Sequence, residues 1–220
     1  MDLNSLSPGL IVVTVVFLTL APFVAVMITS FTKLVVVLSL LRNALGTQQV
    51  PPNVVINGLA IILSIYVMYP VGIEMSEIVS KAGSGSAQSM DLSKLLATID
   101  KAKEPLRDFL TRHTSEEERA FFLKTAQKLL PEQKRQSLSG NDMLVIVPSF
   151  TVSELTRAFQ IGFLIFLPFL VIDLIISNVL MAMGMMMMSP TTVSLPFKLL
   201  LFVMLDGWSK LIHGLVLTYR

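Results

Sequence analysis

The sequence predicts an all-α protein built from two long hydrophobic helical hairpins, with a small soluble helical domain inserted between them. Three observations carry this. Of 220 residues, 53% are hydrophobic and 15% charged, with a mean hydropathy of +0.73, a balance typical of integral membrane proteins. Apolar runs at both ends of the chain are long enough to cross a bilayer. Between them, residues 74–147 hold 11 Lys/Arg and 11 Asp/Glu. The net charge of only +2 argues against a nucleic-acid partner, and the absence of Cys excludes disulfides and thiolate metal sites.

Residues 1–73 form the first expected hairpin. Asp2 stands where a secretory signal would carry positive charge, and the apolar run that follows is overlong for one, so the first segment is expected to be retained. That segment, about Leu10–Leu41, exceeds the roughly 20 residues of a span. Pro22 and the polar run Thr29–Lys33 interrupt it. The simpler expectation is one kinked helix with Lys33 snorkelling to an interface; the alternative is a polar notch packed on another chain. Gly46 with Pro51-Pro52 makes Arg42–Asn53 a turn. Val54–Ile73 carries no charge and is the cleanest span.

Residues 74–147 read as the inserted domain. Gly83-Ser84-Gly85-Ser86 is a flexible link. Leu92, Leu95, Leu96 and Ile99 follow helical spacing, as do Leu106, Phe109, Leu110 and His113 after Pro105. Ser115 and Glu118 form a capping-box pattern before a helix with Phe122, Ala126, Leu129 and Leu130 inward, ended by Pro131. His113 reads as ordinary packing, and with His213 it makes no metal-binding spacing.

Residues 148–220 form the second hairpin. Thr151 and Glu154 fit a second capping box, opening a helix from about Val152 to Met183 with Pro168 inside it. A further helix spans about Thr192–Leu217. Six of the 13 Met lie between Met181 and Met188, in a turn bracketed by Gly184 and Ser189-Pro190. An unpaired charge at mid-membrane costs about 2.5–3.5 kcal/mol on insertion scales. Asp206 has Lys210 four residues on, the favoured order for a helical pair. Asp173 and Lys198 have no neighbour at helical spacing and need a tertiary or intersubunit partner. The Met cluster admits three roles: irregular core filler, Cu(I) binding by thioethers, or a soft gasket at a helical bend. Composition alone favours filler. No catalytic constellation or phosphate-binding loop is present, so neither enzyme activity nor a cofactor is expected.

Longer motifs point to a family. Ser153-Glu154-Leu155, Ala158–Phe163, Phe166–Asp173, Met183–Met187, Ser194–Lys198 and Asp206-Gly207-Trp208 resemble the FliP/SctR family of flagellar and type III secretion export apparatus, as does Arg42–Gly46 with Gln49–Asn53. The short N-terminus is more similar to the injectisome SctR branch. The resemblance implies a pore-forming core subunit of a type III secretion export gate, conducting unfolded protein substrates. It implies a pentamer of this chain, joined by SctT-like, SctS-like and SctU-like subunits. It places the complex in the bacterial inner membrane as a multi-pass protein, with the assembled helices and the middle domain toward the periplasmic side. It makes Met185, Met186, Met187 and Met188 the channel gasket, and Glu154, Lys198 and Arg119 members of charge pairs between subunits, Glu154 with Lys198 first. Asp173, Asp206 and Lys210 remain as further buried charges. The competing reading is a small-solute or Cu(I) membrane transporter.

Overall fold

The computed structural model describes residues 8–83, 92–135, 138–185 and 187–220. Among the described residues the protein is all-α: ten helices and no strand. The first apolar segment is two helices, α1 (Pro8–Ile28) and α2 (Phe31–Leu45), bent by 68° at their junction. The break falls at Thr29–Ser30, whereas Pro22 sits inside α1. Hydroxyls replace the backbone bonds lost there: Thr29 Oγ1 accepts from the Phe31 N–H at 3.5 Å, and Thr32 Oγ1 donates to the Val26 carbonyl at 3.1 Å.

Gly46 ends α2 in the left-handed conformation (φ 75°), its N–H donating to the Asn43 carbonyl at 3.1 Å. Arg42 closes the turn that follows, donating to the Pro51 carbonyl at 3.3 Å and to Asn53 Oδ1 at 2.5 Å. Then α3 (Asn53–Gly83) runs unbroken through Pro70. The inserted helices are α4 (Leu92–Ala102), α5 (Glu104–Arg112), α6 (Glu116–Leu129) and the short α7 (Glu132–Arg135). Ser115 caps α6 as expected, accepting from the Glu118 N–H at 3.3 Å. The reciprocal half of the box is replaced: the Ser115 N–H donates to Ser153 Oγ at 3.0 Å, tying α6 to the next long helix. On α6, Phe122 and Ala126 turn inward, but Leu129 is exposed. Ile99 of α4 is exposed as well, and the side chains of Leu92, Leu95 and Leu96 lie outside the described residues, as does most of the Gly83–Ser86 link.

That next helix, α8 (Met143–Ala182), starts earlier than its sequence suggests. Asp142 is its N-cap, and Asp142 Oδ2 accepts from the Ser139 N–H at 2.7 Å. Thr151 and Glu154 therefore lie within the helix: Thr151 Oγ1 bonds back to the Val147 carbonyl at 2.9 Å, and Glu154 is no cap. Both α3 and α8 extend past the expected boundaries of the insertion, crossing residues 73–74 and 147–148. The chain closes with α9 (Pro190–Met204) and α10 (Gly207–Leu217), bent by 61° at Leu205–Asp206.

By length and apolarity, α3 and α8 can each cross a membrane, and the bent pairs α1–α2 and α9–α10 raise the number to four if each is one span. At about 1.5 Å per residue, the 31 residues of α3 and 40 of α8 extend about 46 and 60 Å. Both exceed the ~30 Å hydrocarbon layer. The centre of the fold is α2, which packs most extensively on α8. Leu34, Val37 and Leu38 meet Ile56 and Ala60 of α3, Ala158 of α8 and Leu215 of α10. Leu41, Ala44 and Leu45 meet Phe169 and Phe202. Gly162 lets α8 approach: a Cβ there would lie 2.2 Å from Leu40 Cδ1. A third cluster, Phe109, Leu110, Ile146 and Phe150, seats the inserted helices on the base of α8.

Candidate functional site

Two features stand out: the methionine turn between α8 and α9, and two buried ion networks that clamp the helices carrying it.

The turn begins with a defined helix stop. The Gly184 N–H donates to the Met181 carbonyl at 3.0 Å and the Met185 N–H to the Leu180 carbonyl at 2.9 Å, with Gly184 left-handed (φ 72°). This pair of bonds is a Schellman motif, which is why glycine stands at that position. Pro190 restarts the chain as the first residue of α9. Between them Met183, Met185 and Met188 are exposed, and Met187 is fully so at 101%. Met186 lies outside the described residues. Within one chain these thioethers fill no core, so the filler role does not apply inside a protomer. Among the described residues no group of three or more His, Cys, Asp or Glu comes together.

The first network is centred on Glu154, which is 0% exposed. Lys33 Nζ, 1% exposed, lies 3.3 Å from each of its carboxylate oxygens. Arg157 lies 3.4 Å from Oε1, and the Tyr219 hydroxyl donates to Oε2. Lys33 also sits 3.5 Å above the Tyr219 ring. Arg157 reaches on to the His113 carbonyl at 2.9 Å, and Ser30 Oγ bonds Ser64 Oγ at 3.1 Å beside the cluster. Lys33 does not snorkel. The break at Ser30 turns α2 inward, and a buried carboxylate provides the partner that an interface would otherwise supply. The polar notch thus packs on helices of its own chain.

The second network holds Lys198, 4% exposed. Its Nζ lies 2.6 Å from Asp173 Oδ2 and donates to the Ala44 carbonyl at 3.2 Å. Ser194 Oγ donates to Asp173 Oδ1 at 2.5 Å. The Ala44 carbonyl belongs to the last turn of α2, where carbonyls lack helical donors and a cation is favoured. Asp173 and Lys198 are thus each other's tertiary partners. Glu154 and Lys198 do not meet within one chain, because each is held in a different network. Arg119 is half-buried on α6 and forms no ion pair among the described residues. Asp206 and Lys210 are exposed, not buried, and their side chains do not pair. Asp206 is the left-handed N-cap of α10 (φ 49°), and its carbonyl accepts from the Lys210 N–H at 3.1 Å, so the two residues are joined through the backbone and not through their side chains.

Sequence reasoning weighed Lys33 only as a snorkelling cation or as part of a notch packed on another chain, and it missed Tyr219. Lys33 had a signal, a cation in an apolar run with no acid at helical spacing, the same signal that singled out Lys198. Tyr219 had none, since its role depends on where α10 ends in space.

In this group His113 behaves as packing. Its ring is buried against Phe109 and Tyr219, with ring centroids 4.7 and 5.1 Å away. Burial first, then the nearby Lys33, Arg157 and Arg112 charges, push its pKa down to about 4.

Comparisons with known proteins bear on these features. The model of the FliP family matches residues 13–215, a stretch that includes the methionine turn and both ion networks apart from Tyr219. The hypersensitivity response secretion protein HrcR of Ralstonia nicotianae is 52% identical over 215 residues, 96% of each chain. The Yop proteins translocation protein R of Yersinia pestis is 51% identical over 209 residues, 95% of each chain. The flagellar biosynthetic protein FliP of Pectobacterium carotovorum is 45% identical over 202 residues, 92% of this chain and 75% of that protein.

Proposed function

The chain belongs to the FliP family, on the branch of the type III secretion proteins, and from that premise we propose that it forms the wall and seal of an export pore. It is a subunit of a secretion export apparatus in the bacterial inner membrane. Copies of it, five on the family's pattern, surround a passage for unfolded protein substrates, together with SctT-like, SctS-like and SctU-like subunits. The apolar segments 1–73 and 148–220 make the wall, and the inserted residues 74–147 lie on the periplasmic side. Met185, Met186, Met187 and Met188 form the gasket.

One observation carries this reading: the methionine turn points away from its own chain, with Met187 wholly uncovered. Unbranched, polarisable side chains in that position suit a compliant contact with neighbouring turns and with passing substrate. Repetition around a ring would bring such turns together at an axis. Helix lengths support the same picture. The roughly 60 Å of α8 exceeds a ~30 Å hydrocarbon layer, so part of it stands outside the hydrocarbon. The two ion networks neutralise the interior charges before assembly. Arg119, Asp206 and Lys210, unpaired among the described residues, remain for contacts between subunits.

The test is the assembled complex carrying Met185→Ala, Met186→Ala and Met187→Ala. Assembly should be unchanged, because the side chains of Met185 and Met187 are exposed in the protomer, and the membrane should leak small ions. A membrane that stays tight would sink the gasket. Copper bound by the purified protein and lost in the same variant would favour the Cu(I) transporter instead.

A further inference from the structure

Beside the Glu154 network lies an open cleft of about 440 Å³. Lys33, Arg112, His113, Arg157, Gln160 and Arg220 line its polar part. None of its eight lining residues is acidic. The Glu154 carboxylate beside it is fully buried and already engaged by Lys33, Arg157 and Tyr219. Arg112 and Arg220 are exposed and form no ion pair among the described residues. The cleft therefore gathers positive charge, with the Arg112 and Arg220 guanidinium groups outside any ion pair among the described residues.

A second cavity of about 380 Å³ adjoins it. Tyr66, Tyr69, Pro70, Val216 and Leu217 line it, and it is largely apolar. Tyr219 lines the second cavity, and Arg220 lines both. Tyr66 and Tyr69 are 68% and 64% exposed, the disposition of aromatic residues that sit at headgroup level. A basic pocket and an apolar groove that share one arginine match an amphiphile with an anionic head and a hydrocarbon tail.

We propose that this paired cavity binds an anionic phospholipid, its phosphate held by Arg112, Arg157 and Arg220 and an acyl chain laid along the groove between α3 and α10. Basic pockets among membrane helices hold such headgroups through charge and multiple donors. The site rests on these cavities alone, whether or not the methionine turn seals a channel.

The experiment uses the full chain in nanodiscs of phosphatidylglycerol mixed with phosphatidylethanolamine, followed by detergent extraction and native mass spectrometry of the retained lipid. Phosphatidylglycerol should be retained in preference to phosphatidylethanolamine. Arg112→Gln with Arg220→Gln should weaken retention roughly tenfold. Both residues are exposed and outside the buried ion pairs, so the fold should survive. Arg112→Lys with Arg220→Lys should keep most of the binding, which separates loss of charge from misfolding. Equal retention of both lipids, or no change in the Gln variant, overturns the proposal. Displacement by millimolar inorganic phosphate with no dependence on acyl chains would reassign the cleft to a free anion. Lipid-independent crosslinking of two copies through Arg112, lost in the Gln variant, would reassign it to an acidic face of a neighbouring chain.

Discussion

Replacing Lys33 with Met removes the ammonium but keeps an unbranched stem of similar length. Glu154, fully buried, then loses the closest of its two cationic partners. Breaking a buried ion pair from one side costs about 3–5 kcal/mol, because the remaining charge stays desolvated. Arg157 at 3.4 Å and the Tyr219 hydroxyl remain on the carboxylate, which puts the expected loss near the low end, about 3 kcal/mol. Glu154→Gln leaves Lys33 over the Tyr219 ring with a neutral acceptor, and should cost about 2–3 kcal/mol. The double variant has neither charge to desolvate. It should lose clearly less than the sum of the two, with a coupling of about 2 kcal/mol. The assay is thermal unfolding of the detergent-solubilised chain, followed by helical circular dichroism. At about 2–4 °C per kcal/mol for a chain of this size, Lys33→Met should lower the midpoint by roughly 6–12 °C. The reasoning fails if the double variant is as damaged as the sum of the singles, because the two groups would then not be energetic partners.

Three further outcomes follow from the same geometry. Gly162→Ala forces a methyl into Leu40 and should cost about 1–3 kcal/mol, with partial recovery on adding Leu40→Ala; equal damage with and without Leu40→Ala would show that the contact is not the cause. Lys198→Glu should weaken the α2–α8–α9 junction, and adding Asp173→Lys should restore stability better than adding Glu154→Lys, read by the same thermal midpoints. His113 titrates lower in the folded chain, at about 4, than in the unfolded chain at 6.5. Between those values the unfolded state binds more protons, so stability is full above about pH 6.5 and falls as pH drops toward 4. The adjoining open cleft screens the group, and the loss should be about 1–3 kcal/mol; His113→Phe should flatten that stretch of the pH–stability curve.

Much of this architecture was legible because it is written locally. Gly46, Pro131, Gly184 and Pro190 mark helix ends through backbone requirements that a single residue either meets or does not. Ser115 announces the start of α6 for the same reason. Local signals also misled. Thr151 and Glu154 have the spacing of a cap, yet Asp142 and the packing of Val145 and Ile146 carry α8 back to Met143. Asp206 and Lys210 have the spacing of a pair, yet Asp206 is itself the left-handed N-cap of α10 and meets Lys210 only through the backbone.

The sequence by itself determined the helical class, the apolar segments, the charged insertion, the position of the methionine turn and the need of Asp173 and Lys198 for distant partners. Each follows from composition or from spacings within a few turns of chain. Only the tertiary structure decided which charge meets which. Lys33 and Glu154 are 121 residues apart and Lys198 and Asp173 are 25 apart. Any of several buried ions could satisfy another, and the choice is made by how α2 turns at Ser30 and lies along α8, where close packing and the cost of leaving a desolvated charge unpaired admit one arrangement.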